Sequence, residues 1–158
     1  MEAVQPLSEY ELERGKPMPS KVHSFIQTRL ATKLSNRYED SYDFFTELSL
    51  ELSTGKSVPD VCIYSKMEID MLHDEVRVKE SPLGVIEILS PRQILNDIVE
   101  RASQYFDAGV KSFWVVIPTF KTIYVFRDAN HYTTFADEDT LQDDALNITL
   151  PLTEIFPA

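Results

Sequence analysis

Residues 82–91 read PLGVIEILSP, and the reading of this stretch decides the fold. Val85, Ile86, Ile88 and Leu89 form a nearly continuous apolar run between Pro82-Leu83-Gly84 and Ser90-Pro91. A short run bounded by turn formers predicts a strand buried on both faces. Glu87 stands in the middle of it. An unpaired buried carboxylate is expensive, so Glu87 demands a partner or a neutralising proton.

Downstream of Pro91 the apolar period changes. Ile94, Leu95, Ile98, Ala102, Tyr105 and Phe106 predict a helix, with Gly109 as its terminator. SFWVVI, 112–117, is a second buried strand. The strand–helix–strand unit over 83–117 predicts a right-handed crossover joining parallel strands. KTIYVF and HYTTF predict an antiparallel return, and an acidic tail from about 137 carries a short strand at NITL and a last turn at LTEIF.

Upstream, Ser20 is a natural N-cap for a helix over about 20–35, whose apolar face is Val22, Ile26, Leu30 and Leu34, with Phe25 beside it. ELSLELS, 47–53, alternates strictly and predicts a half-buried strand with Leu48, Leu50 and Leu52 on one face and Glu47, Ser49 and Glu51 on the other. STGKS turns the chain into PDVCIY, and a polar connection over 65–81 leads to the opening stretch. These three strands are expected to form a meander. The fold class is α/β with a mixed sheet (α+β in character) and helices packed against it.

At 158 residues the chain is expected to be a single domain, 1–158, with an N-terminal arm over 1–18 and the acidic tail over about 137–158. No apolar run approaches the length of a membrane span, so no membrane partner is expected. MEAVQPLSEYELERG lacks the pattern of a signal peptide, and the single cysteine, Cys62, fits a reducing, cytoplasmic setting. Cys62 lies in an apolar run and reads as a core residue. The net charge of −11 argues against nucleic acid, but it is unevenly spread. Residues 14–37 hold Arg14, Lys16, Lys21, Arg29, Lys33 and Arg37 without an acid, while 128–144 hold six acids without Lys or Arg. A basic face can coexist with an acidic whole, although each block also reads as a solvated surface.

Asp60 opens the PDVCIY strand directly after Pro59, and Glu87 is expected beside it in the sheet. Asp97 and Arg101 lie one turn apart on the following helix, from which Arg101 can reach Glu87. Two carboxylates on neighbouring strands with a nearby cation suit Mg²⁺ or Mn²⁺ together with a phosphate. Bland readings stand beside this one. Glu87 and Arg101 also read as a structural ion pair, Asp60 as a turn cap, Asp97 and Arg101 as an ordinary surface pair, and His23 as a packing residue. Trp114, Tyr105, Tyr124 and Phe126 lie in apolar runs and read as core.

VPDV, then VIEILSP, then NDIVERASQYFDAGVKSFWVV, preceded by YELERGKPMPSKVH, resembles the Uma family of predicted endonucleases, from about residue 10 to 126. That family falls in the PD-(D/E)XK superfamily, with a restriction-endonuclease-like fold. The resemblance implies a metal-dependent endonuclease that hydrolyses phosphodiester bonds of DNA. It implies Asp60 and Glu87 as metal ligands for Mg²⁺ or Mn²⁺, Asp97 as the helix aspartate, and Glu11 and His23 as accessory N-terminal polar positions. Two departures stand out. Leu89 occupies the place of the superfamily's lysine two residues after the glutamate, and Arg101 stands where the family has a helix lysine. Arginine holds a phosphate well but cannot act as a general base. A catalytically silent protein that binds nucleic acid or a protein partner is therefore the alternative reading. A homodimer is expected of many duplex-cutting nucleases, though no residue here marks an interface.

Overall fold

The computed structural model describes residue 6 and residues 8–91 and 93–158; the rest of the expected N-terminal arm lies outside these. The element order is α1 (Glu9–Arg14), α2 (Lys21–Tyr38), β1 (Tyr42–Thr46), β2 (Ser49–Leu52), β3 (Gly55–Ser57), β4 (Val61–Ser65), β5 (Arg77–Val78), β6 (Gly84–Ile88), α3 (Leu95–Asp107), β7 (Ser112–Ile117), β8 (Thr122–Asp128), β9 (His131–Ala136), β10 (Thr140–Asp143) and β11 (Ile148–Pro151).

The central sheet runs β1-β4-β6-β7-β8-β9. Its one parallel pair is β6 with β7, joined through α3. The stretch GVIEI is β6, and every residue in it is buried. Ile86 and Ile88 face α2 with Val61, Ile63, Trp114 and Val116, in a core with Ile26, Leu30 and Leu34. Val85 faces α3 with Cys62, Phe113 and Val115, in a second core with Ile98, Ala102 and Tyr105. Strand periodicity therefore turns Glu87, two residues from Val85, toward α3.

The meander exists, but its first strand is β1, Tyr42–Thr46, paired antiparallel with β4. ELSLELS does form a strand with Leu50 and Leu52 buried, yet it belongs to a separate small sheet, β3-β2-β5. Alternation shows that one face is buried; it does not show which sheet receives the strand. On α2, Ile26, Leu30 and Leu34 are buried as expected, but Val22 is 55% exposed and His23 takes the buried place in the first turn.

The acidic segment from 137 onward folds as the β10–β11 hairpin, with Leu141, Leu146, Ile148, Leu150 and Leu152 in the α2-side core. It is pinned by Asp143, a carboxylate only 3% exposed. Asp143 Oδ2 accepts from the Ser112 hydroxyl and, at 2.7 Å, from Trp114 Nε1, while Oδ1 accepts from the Leu146 N–H at 3.2 Å.

Candidate active site

Asp60 and Glu87 meet because of strand register. In the antiparallel β4–β6 ladder Val61 faces Ile86, so one further step sets Asp60 opposite Glu87. Residues directly opposite in such a ladder turn their side chains to the same face. Both carboxylates are 0% exposed. Asp60 Oδ2 accepts from the Ile88 N–H at 2.7 Å, which ties the end of one strand to the other.

One ammonium joins the two acids. Lys16 Nζ lies 2.9 Å from Asp60 Oδ1 and 2.7 Å from Glu87 Oε2. Lys16 is itself only 4% exposed. It comes from the N-terminal arm, 44 residues before Asp60 and 71 before Glu87. Arg14, from the same arm, places NH2 2.9 Å from Asp60 Oδ1 and 3.0 Å from Glu47 Oε1. His23 Nε2 lies 3.1 Å from the same Asp60 oxygen. Burial drives the Asp60 carboxyl pKa up, but the Lys16 charge, the His23 ring and the Ile88 N–H outweigh it and hold the group at about 2.

Glu87 Oε1 faces α3. Tyr105 OH donates to it at 3.1 Å, and Arg101 NH1 approaches to 3.4 Å. Arg101 NH2 also donates to the Gly15 carbonyl at 3.0 Å, so α3 holds both the acid and the arm. The Tyr105 hydroxyl is held well above its ordinary pKa by burial and by the Glu87 charge, and it stays a donor.

The arm is a built element. Ser8 and Glu11 form a reciprocal capping box on α1. Glu11 Oε2 then accepts from the Met18 N–H at 3.0 Å, folding the chain after α1 back on itself. Gly15 ends α1 with φ 70°, the left-handed region where a side chain is strained. That turn sends Lys16 inward.

The structure thus brings Asp60, Glu87, Arg101 and His23 together, and gives Glu11 a place in shaping the arm. Asp97 stands apart: it is exposed in the first turn of α3, and among the described residues no ion pair joins it to Arg101. Lys16, Arg14 and Tyr105 are the site residues that sequence reasoning did not single out. The Ser8-x-x-Glu11 spacing was the available signal for α1.

Two carboxylates already sharing one cation suit a divalent metal, which takes few protein oxygens and keeps waters when it is Mg²⁺. Among the described residues no group of three or more acid, His or Cys side chains is placed to hold a metal ion, and a metal at this site would have the Asp60 and Glu87 carboxylates as its side-chain ligands, with water completing its shell.

A family model described as "Putative restriction endonuclease", Uma2, matches residues 5–153. The chain belongs to the Uma2 family. A solved structure described as a putative nuclease belonging to DUF820 from Anabaena variabilis ATCC 29413 is similar at 20% identity and TM-score 0.77, over 89% of this chain and 83% of that one. At that identity the likeness speaks for the fold, which is restriction-endonuclease-like. A DrdV–DNA complex is similar over 68% of this chain and 66% of that one, at 13% identity and TM-score 0.43, too distant to bear on function. No curated protein sequence matches this chain. The Uma2 assignment covers residues 5–18 of the arm, both carboxylates and the whole C-terminal hairpin.

Proposed function

We propose that this Uma2 chain is a metal-dependent nuclease that hydrolyses phosphodiester bonds of DNA at the Asp60–Glu87 pair. The observation that carries this reading is the single buried cation shared by two carboxylates from facing strand positions. Mg²⁺ or Mn²⁺ bound there would polarise the phosphodiester and lower the pKa of a bound water. Arg101, reaching Glu87 from α3, stands where a guanidinium can hold a phosphate oxygen in bidentate fashion and offset the negative charge that grows during hydrolysis. Tyr105 fixes the rotamer of Glu87 from the side opposite the shared cation.

A cleft of about 240 Å³ beside the site supports a polyanionic substrate. Lys56, Arg77 and Arg101 line it, with the buried Arg14 behind them and Glu13 paired to Arg77 at 2.9 Å, in a chain whose net charge is −11. Such a local cationic path lets an acidic protein track a phosphate backbone.

A plasmid-nicking assay in Mn²⁺ tests the reading. Wild-type protein should nick, and Asp60→Asn and Glu87→Gln should each fall by at least a hundredfold. Equal nicking by all three would assign the activity to something other than this site. The absence of nicking by wild type, with duplex binding retained, would favour the second reading, a catalytically silent binding protein. Arg101 motivates that alternative, because it cannot supply the proton acceptor a lysine could.

A further inference from the structure

Asp60 and Glu87 are 0% exposed, so neither a hydrated ion nor a phosphate reaches them while the N-terminal arm stays in place. The atom that closes the site is Lys16 Nζ. Among the described residues it is the one group that contacts both carboxylates, at the point where a shared metal ion would sit. We infer that Lys16 is the resident counter-ion of this cation site, that it and a divalent metal compete for the same position, and that the arm over 8–18 is a strap whose release accompanies metal binding. This inference rests on the metal reading proposed above and goes beyond it by assigning a role to the arm.

Three features make the exchange feasible. Glu87 Oε2 has Lys16 as its polar partner, and a divalent ion would restore charge balance there when the ammonium leaves. Asp60 Oδ2 remains held by the Ile88 N–H, and Glu87 Oε1 by Tyr105, so both ligands keep their orientation without Lys16. The strap is held to the rest of the chain by side-chain contacts: Tyr10 OH donates to Glu47, Glu13 pairs with Arg77 at 2.9 Å, and Arg14 and Lys16 reach the buried acids. Its helix has only six residues, too few to be stable alone, and it depends on the capping box, on Arg101 holding the Gly15 carbonyl, and on Arg14. Lys16 also supplies a lysine to a site that lacks one both after the glutamate and on α3.

Calorimetric titration with Mn²⁺ tests the competition, using wild type, Lys16→Met and Lys16→Arg. Met keeps the length of the side chain and removes its charge. Lys16→Met should bind Mn²⁺ at least tenfold more tightly than wild type, and Lys16→Arg should bind no more tightly than wild type. Asp60→Asn should abolish the binding, which places it at this site. Wild-type binding with no gain in Lys16→Met would overturn the inference and leave the metal reading standing; no binding by any of the proteins would remove both. Hydrogen exchange on wild type does not depend on how well the variants fold. Saturating Mn²⁺ should speed amide exchange over 9–18 while β4 and β6 stay protected. Metal binding with unchanged exchange in that segment would overturn the strap.

Discussion

Asp60 concentrates the electrostatics of the molecule in one side chain. Its folded pKa of about 2 lies below the ordinary value of ~3.9. The unfolded state therefore takes up its proton first as the pH falls. Stability from Asp60 is fully present above about pH 4 and is lost as the pH drops toward 2, on the order of 2 kcal/mol in all. Urea denaturation from pH 5 to pH 2.5 should show this loss in wild type, and Asp60→Asn should flatten that part of the curve. An identical acid limb in both proteins would contradict the ion cluster. A second prediction at this scale concerns Glu87. Tyr105→Phe deletes one donor to a buried carboxylate and should destabilise the protein by about 1–2 kcal/mol in the same assay. The approach of Arg101 to Glu87 was legible in the sequence because a helix that follows a strand by crossover packs back on it. Lys16 was not legible, because nothing in a segment without periodicity marks which lysine turns inward. That direction is set by Gly15 and by the Glu11 carboxylate, which are contacts of three-dimensional origin.

At the scale of elements, burial pattern and period identified β4, β6, α3, β7 and α2 with their boundaries nearly right. These are long or strongly patterned segments with turn formers at their ends. The placement of ELSLELS failed for a different reason. Its alternation is real, but the strand that completes the main sheet is YDFFT, whose side chains are all only partly buried or exposed. A half-covered edge strand of five residues carries little pattern. The arm makes the sharpest prediction at this scale. Gly15 sits at φ 70°, and Gly15→Ala should cost about 1 kcal/mol. The loss should appear as faster proteolytic cleavage within 8–18 and leave the global melting temperature little changed. An arm as resistant as wild type would show that the left-handed turn does not hold it.

The whole molecule is organised around a sheet covered on both faces, with the candidate site confined to the α3 face where the N-terminal arm meets the ends of β4 and β6. The opposite face is closed by α2 and the C-terminal hairpin. Acidic composition disguised that hairpin as a tail, because Asp137, Glu138 and Asp139 are exposed while Asp143 and the leucines behind it are buried. Asp143→Ala would leave Trp114 Nε1, the Ser112 hydroxyl and the Leu146 N–H without their shared acceptor. It should lower global stability by about 2–4 kcal/mol, read as a shift of the urea midpoint. A shift below 0.5 kcal/mol, on the scale of ordinary surface changes, would show that the clamp is not structural.

The proposed activity rests on one cation between two acids. An anomalous difference map from a crystal soaked in Mn²⁺ addresses it directly. The account predicts a single strong peak between the Asp60 and Glu87 carboxylates, with the Lys16 ammonium withdrawn. A fully soaked crystal with no peak between those oxygens, and Lys16 still bridging them, would contradict it.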